Sequence, residues 1–129
     1  MPKTIKQSVV LKGSPHQVYE MLMDEKIHAA FTGAGAKISR KKGGKFTAWD
    51  DYIEGTNLEL VPDEKIVQKW RASDWPEGEY SEATFEMEKT KGGTKLTFTQ
   101  TGMPDGNYAD IKKGWVEFYW EPMEKFLGK

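Results

Sequence analysis

Residues 108–127 read YADIKKGWVEFYWEPMEKFL and form the longest stretch of the sequence with helical periodicity. Apolar side chains recur there at steps of three and four residues, the spacing of one face of an α-helix. The members of this apolar stripe are Ile111, Trp115, Phe118, Tyr119, Met123 and Phe126. Gly114 lies beside the stripe, where a missing side chain would let the helix approach a sheet, and Pro122 removes one helical hydrogen bond. We therefore expect a long carboxy-terminal helix that buries Trp115 and Phe118 and bends at Pro122.

The beginning of the chain predicts one strand followed by two short helices. Apolar and polar residues alternate over residues 3–12, which is the period of a strand. Ser14 followed by Pro15 is typical of a helix start, because serine caps free amides and proline needs no hydrogen-bond donor there. Asp24 predicts a second cap, which begins another short helix.

The middle of the chain alternates apolar and polar side chains in short runs separated by glycine, proline and aspartate turns. The predicted strands cover residues 36–40, 45–49, 52–60, 65–71, 80–89 and a run that ends at 101. An antiparallel sheet with one polar face must cover its other face, and only the terminal helix is long enough to do so. We therefore predict an α+β helix-grip fold, in which a curved antiparallel sheet of about six to seven strands surrounds that helix in a single domain over residues 1–129.

The composition excludes several classes of function. Lysine and arginine total 19 against 20 acidic residues, so no net basic field exists to attract nucleic acid or anionic lipid. The chain has no cysteine and only two histidines, which excludes disulfides, thiolate chemistry and a multi-histidine metal site within one chain. The sequence has no signal peptide and no apolar stretch of membrane length, so we expect a cytoplasmic protein without a metal or cofactor.

Short motifs spread along the chain follow a recognisable order and spacing. They are Gly43-Gly44-Lys45-Phe46, Ile53 with Gly55, Leu60-Val61-Pro62, Ile66-Val67, Trp70-Arg71, Trp75-Pro76-Glu77-Gly78, Gly102 with Pro104, Gly114-Trp115 and Tyr119-Trp120. Together they resemble the carboxy-terminal domain of the activators of heat shock protein 90 ATPase, within the SRPBCC superfamily of START-like and birch-allergen-like proteins. The resemblance implies a helix-grip fold, a groove between the sheet and the last helix, and binding to a heat shock protein 90 type chaperone.

The aromatic content of 12% has two explanations. Inward-facing apolar residues would either fill a packed core or line a cavity for a small hydrophobic ligand. The candidate cavity residues are Met21, Phe31, Phe46, Ile53, Trp70, Phe85, Phe98, Trp115 and Tyr119. Trp49, Tyr52 and Trp75 lie near turns, where exposure at a binding surface is the alternative to burial.

A second candidate site is a surface for a protein partner. Arg40, Lys42 and Lys45 belong to a basic cluster, which would contact an acidic partner or a phosphate, or only keep a hairpin soluble. Arg71 and Trp75 join this candidate surface because arginine and tryptophan are enriched at binding hot spots. The alternative is that Arg71 pairs with an acid on a neighbouring strand.

Candidate catalytic groups are few. Asp50, Asp51 and Glu54 would serve as a general base only if burial raised a carboxyl pKa, and a solvated turn is the simpler explanation. His28 would shuttle protons at the mouth of a cavity, or lie at the surface or at a helix cap. We therefore expect no catalytic residues and a non-enzymatic binding domain. The alternative is a carrier, or a lyase or cyclase, for a small hydrophobic ligand.

Overall fold

The computed structural model describes residues 4–50, 52–73, 75, 80–103 and 108–127. Within these ranges the strands are β1 (Thr4–Leu11), β2 (Lys37–Ile38), β3 (Lys45–Ala48), β4 (Ile53–Val61), β5 (Lys65–Ala72), β6 (Ser81–Thr90) and β7 (Gly93–Thr101). The helices are α1 (Pro15–Met23), α2 (Glu25–Thr32), α3 (Tyr108–Trp115) and α4 (Glu121–Phe126), with a π-helical turn at Val116–Trp120 between the last two. The expectations for Asp51, Pro104 and residues 76–79 lie outside the described residues.

The described strands form one antiparallel sheet in the order β1-β7-β6-β5-β4-β3-β2. The first strand pairs with the last, with Thr4 opposite Thr101, while the short β2 lies at the other edge. The sheet curves around the carboxy-terminal helix, and two short helices follow β1. The predicted α+β helix-grip fold is therefore confirmed. The strand expected over residues 36–40 is shorter than predicted, since only Lys37 and Ile38 pair with β3.

Gly55 on β4 lies where the neighbouring strands β3 and β5 leave no room for a side chain. A Cβ atom at this position would lie 1.8 Å from the carbonyl oxygen of Lys69 and 2.7 Å from the ring of Phe46. Since no side chain fits in that space, glycine is required at this position.

The two short helices begin as the sequence predicts. Ser14 and Gln17 form a reciprocal capping box, in which the Ser14 Oγ accepts from the Gln17 amide and the Gln17 side chain accepts from the Ser14 amide. Asp24 ends α1 and caps α2, accepting from the amides of Lys26 and Ile27. None of the helices in the described ranges is long and apolar enough to cross a membrane.

The irregularity expected at Pro122 takes the form of the π-helical turn. Proline lacks the N–H that the carbonyl of Phe118 would normally receive, and just before it the amide of Glu121 donates to Val116, five residues back. The wider turn rotates the residues that follow relative to the 3.6-residue period. Trp120 consequently faces the sheet and is 5% exposed, whereas Phe118 is 52% exposed. The prediction that Phe118 is buried is therefore wrong.

The other end of the apolar stripe also differs from the prediction. Phe126 is half exposed, although its ring contacts Phe31 on α2. The explanation given for Gly114 is wrong as well. A Cβ there would meet only the ring of Phe118, at an ordinary 3.7 Å, so Gly114 does not bring the helix closer to the sheet.

The helix is held against the sheet by two indole hydrogen bonds. Trp115 donates its Nε1–H to the Gln100 Oε1 at 2.8 Å, and Trp120 donates its Nε1–H to the Gln7 Oε1 at 2.7 Å. Gln100 is fully buried and donates onward to the Ser81 Oγ at 2.8 Å. The polar atoms of these buried side chains are thus satisfied by one another, as a packed core requires.

Candidate functional site

A groove of about 490 Å³ lies between the sheet and the terminal helix. Its floor is formed by β4 and β5, one wall by α3 and the π-helical turn, and its rim by the hairpin between β3 and β4. The described lining residues are Trp49, Tyr52, Ile53, Trp70, Ala72, Trp75, Asp110, Ile111, Gly114, Trp115, Phe118 and Tyr119. Tyr52 and Phe118 are largely exposed, so aromatic surface faces solvent at the opening of the groove.

The rim hairpin holds Trp49 in an unusual backbone conformation. Trp49 and Asp50 both have φ of 55°, in the left-handed region that a bulky side chain rarely adopts. Such a conformation costs about 1–2 kcal/mol per residue. It is maintained by the Asp50 carboxylate, which accepts from the Gly35 amide at 2.7 Å, and by edge-to-face contact of Trp49 with Phe118 at 5.6 Å. Backbone strain of this kind concentrates at functional sites.

A chain of hydrogen bonds runs from the groove into the core. Trp49 donates its Nε1–H to the Tyr119 hydroxyl at 3.1 Å, and that hydroxyl lies 3.0 Å from His28 Nε2. Because the hydroxyl already accepts from Trp49, its own proton is best donated to a neutral His28. The His28 Nδ1 is buried and has no hydrogen-bond partner among the described residues.

Burial controls the titration of this pair. Desolvation lowers the pKa of His28 to about 4, and desolvation raises the pKa of Tyr119 despite the hydrogen bond from Trp49. His28 is 4% exposed, so the expectation of a surface or capping histidine is wrong. A histidine that stays neutral throughout the physiological range is a structural hydrogen-bond acceptor here.

The predicted cavity residues separate into four groups. Ile53, Trp70, Trp115 and Tyr119 line the groove. Phe46 and Phe85 instead line an inner void of about 20 Å³, which is too small for an organic ligand. Phe31 lies in a surface depression beside α4, while Met21 and Phe98 are packed in the core.

The predicted partner surface is also divided by the structure. Arg40, Lys42 and Lys45 lie on the exposed hairpin between β2 and β3, where Arg40 pairs with Glu20. Trp75 is only 4% exposed because its ring packs edge-to-face on Trp70 at 5.5 Å. Exposure of Trp75 at a partner surface is therefore a wrong expectation.

Arg71 is held close to Trp75. Its guanidinium donates to the Trp75 carbonyl at 2.6 Å and lies 3.4 Å from the Glu54 carboxylate on the neighbouring strand. The alternative that Arg71 pairs with an acid on an adjacent strand is confirmed. Only 12% of its side chain is exposed, which leaves little of it for a partner.

Asn57 is a functional candidate that the sequence did not reveal. It is fully buried in β4, and its Nδ2 donates to the Ser39 carbonyl at 2.6 Å and to the Lys41 carbonyl at 3.3 Å. Gln68 donates to its Oδ1 at 3.2 Å, and its backbone exchanges hydrogen bonds with Gly43 and Gly44. Asn57 therefore fixes the base of the β2–β3 hairpin. In the sequence, the one feature that could have indicated this role is a polar amide among the otherwise apolar inward-facing residues of β4.

The other candidate catalytic groups have structural roles. Asp50 supports the rim hairpin, and the exposed Glu54 pairs with Arg71. Within the described ranges, no three histidine or carboxylate side chains come together to hold a metal ion.

Comparison with known proteins supplies the family. Residues 12–128 match the family described as "Activator of Hsp90 ATPase homolog 1-like protein". The human activator of 90 kDa heat shock protein ATPase homolog 1 is 32% identical over 115 residues, which are 89% of this chain and 34% of that protein. The Dictyostelium discoideum homologue is 32% identical over 114 residues, 88% of this chain and 30% of that protein. This chain thus spans about a third of the length of these curated relatives.

The fold agrees with a solved structure of similar extent. A structure described as an HSP90 activator from Plasmodium falciparum superposes with a TM-score of 0.89 at 28% identity, covering 99% of this chain and 96% of that one. The helix-grip architecture and the resemblance found in the sequence are both confirmed by these matches. The chain therefore belongs to the Activator of Hsp90 ATPase homolog 1-like family.

Proposed function

We propose that this chain is a non-enzymatic binding domain of the chaperone-activator type, which binds an Hsp90-type chaperone through the hairpin between β2 and β3. The human and Dictyostelium discoideum relatives, whose matches cover 89% and 88% of this chain, are described as activators of the 90 kDa heat shock protein ATPase. The structurally similar Plasmodium falciparum chain, described as an HSP90 activator, is covered almost completely by this chain. A cytoplasmic location is part of this proposal.

The observation that carries the choice of surface is the free charge of that hairpin, which we call the basic hairpin (residues 37–45). Lys37, Lys41, Lys42 and Lys45 are exposed, and none of them takes part in an ion pair among the described residues. Arg40, by contrast, is paired with Glu20. Four such cations on one hairpin fit an acidic protein surface, to which they would steer association.

The basic hairpin is also pre-organised. The buried side-chain amide of Asn57 donates hydrogen bonds to the carbonyls of Ser39 and Lys41. The backbone amide of Gly43 donates to the Asn57 carbonyl at 2.7 Å. A loop that is already ordered loses less conformational entropy when a partner binds. The backbone that carries the lysines is therefore held in place by hydrogen bonds to Asn57.

Charge reversal on the basic hairpin tests this proposal. The double variant Lys41→Glu/Lys42→Glu should weaken binding to a purified Hsp90 by about tenfold or more at low salt, because attraction becomes repulsion. Calorimetry of the complex and stimulation of the chaperone's ATPase are the measurements. The effect should shrink as ionic strength rises.

The hairpin between β6 and β7 provides a matched control. Lys89→Glu/Lys91→Glu makes the same change in net charge at exposed lysines beside another glycine turn. We expect this variant to bind within about twofold of the unmodified chain, given how little exposed charges contribute singly. Equal weakening by both pairs would contradict a specific role of the basic hairpin, and no binding by the unmodified chain would contradict the chaperone proposal itself.

A second candidate function is the binding of a small apolar ligand in the groove, and it is favoured by the groove's size. Its volume of about 490 Å³ lies within the range of roughly 300–1,000 Å³ that is usual for ligand sites. Four of the five tryptophans line it, namely Trp49, Trp70, Trp75 and Trp115. Titration with an apolar probe should therefore change the intrinsic fluorescence, whereas binding that leaves the emission unaltered would argue for a site elsewhere.

A further inference from the structure

The charge and aromatic content of the groove indicate what kind of ligand it would select. Seven aromatic side chains line it, while Asp110 is the one charged side chain among its described lining residues. Aromatic rings present a negative face that attracts cations, and this attraction is strongest for tryptophan. A carboxylate at the same site also attracts cations. We infer that the groove selects flat apolar ligands that carry a positive charge, an inference that rests on the proposal that the groove holds a small ligand.

Asp110 is available to such a ligand. It lies in the first turn of α3, is exposed, and takes part in none of the described ion pairs. The lysines that follow it on the helix are engaged elsewhere, since Lys113 pairs with Glu117 at 3.5 Å and Lys112 lies over the ring of Tyr108 at 5.8 Å. Asp110 therefore has no lysine partner on its own helix among the described residues.

Two edge-to-face pairs of aromatic rings line the groove. Trp49 meets Phe118 edge-to-face, with planes at 72°, and Trp70 meets Trp75 edge-to-face, with planes at 61°. In an edge-to-face pair, the ring that contributes its edge keeps both of its faces free of that partner. Phe118 is in addition 52% exposed, so part of its ring is uncovered at the rim.

Two N–H groups that could donate a hydrogen bond to an anion in the groove already donate to other side chains of the protein. Trp115 gives its indole N–H to Gln100, and Trp49 gives its indole N–H to Tyr119. No lysine, arginine or histidine occurs among the described lining residues. The groove therefore offers rings and a carboxylate to a cation, and no cationic side chain among its described lining residues to an anion.

Three bicyclic probes of similar size test the selection. Equilibrium dialysis at pH 8 compares the cation N-methylquinolinium, the uncharged 2-methylquinoline and the anion 1-naphthoate. We expect the cation to bind about fivefold more tightly than the neutral probe, from ring attraction together with Asp110. The anion should bind most weakly.

Three variants test which side chains cause the preference for the cationic probe. Asp110→Asn should weaken cation binding about threefold and leave the neutral probe unchanged, since an exposed charge is being removed. Glu121→Gln is the matched control, because it removes a carboxylate from the same terminal helix at an exposed position outside the groove. Phe118→Leu keeps apolar volume but removes a ring, and it should reduce the advantage of the cation over the neutral probe.

The outcomes separate this inference from the proposal beneath it. If the neutral probe binds as tightly as the cation, or the anion binds more tightly, the charge selection is wrong and the ligand function stands. The charge selection is equally wrong if Glu121→Gln weakens cation binding as much as Asp110→Asn does. If none of the three probes binds, the ligand function is wrong together with the inference.

Discussion

The aromatic side chains at the terminal helix differ according to the surface they meet. On the side facing β1 and β7, which we call the anchored face, Trp115 and Trp120 are buried and donate their indole N–H groups to strand glutamines. At the groove rim, formed by Trp49 and Phe118, the rings are exposed or half-buried and one of them is attached to a strained backbone. At the anchored face the indole N–H groups are hydrogen-bonded and the rings are buried. At the rim, part of the apolar surface is left uncovered by the described residues. Stability is therefore expected to depend on the first region and binding on the second.

Removing one ring from each region gives the largest expected contrast. Trp115→Ala should lower the free energy of unfolding by about 3–5 kcal/mol, because it leaves a cavity and deprives the buried Gln100 of its donor. Phe118→Ala should lower it by about 1 kcal/mol or less, since half of that side chain is exposed. Urea denaturation followed by circular dichroism measures both. Equal losses would abolish the distinction between the two regions.

His28 connects the two regions through Tyr119, and its titration provides a second test. Its folded-state pKa of about 4 lies below its ordinary value of 6.5, so protons bind the unfolded chain more strongly. The contribution of His28 is fully present above pH 6.5 and is lost as the pH falls toward 4. By pH 5 we expect a loss of about 2 kcal/mol relative to pH 8.

The variant His28→Gln isolates this effect from the carboxylates, which titrate in both proteins. Glutamine still accepts a hydrogen bond from Tyr119 but does not ionise in this range. The difference in unfolding free energy between the two proteins should therefore shrink from pH 8 to pH 5. A constant difference across that range would mean that His28 does not remain neutral in the fold.

The smallest expected effect comes from removing a single indole N–H. Trp49→Phe keeps the ring at the rim and should cost below about 1 kcal/mol, since the Tyr119 oxygen loses only a neutral hydrogen bond. The same change at Trp115 should cost about 2 kcal/mol, because the Gln100 oxygen is left buried without a donor. Thermal unfolding compares the pair, and a reversed order would contradict the assignment of the anchored face.

The sequence was sufficient for features that depend on local patterns. The alternation of apolar and polar residues predicted the strands, and the serine-proline pair at Ser14 and Pro15 predicted the start of α1. Burial of Trp70 and Trp115 follows from strand and helix periods in the same way. These patterns are properties of neighbouring residues, so no tertiary information is needed to read them.

The errors arose where distant residues decide the outcome. A 3.6-residue period cannot foresee a π-helical turn, which exchanges Phe118 for Trp120 at the sheet. His28 is buried beside Tyr119, 91 residues further along the chain. Such contacts follow from the curvature of the sheet rather than from any local signal.

The pairing of β1 with β7 has a consequence for how the protein is made. Within this sheet β1 is synthesised first and its partner β7 last, with Thr4 opposite Thr101. The intervening chain must form a closed loop before this pairing can occur. The strand β1 therefore remains unpaired until β7 has been synthesised. During translation the backbone N–H and C=O groups of β1 therefore lack their strand partner, and an unpaired strand of this kind is prone to aggregate.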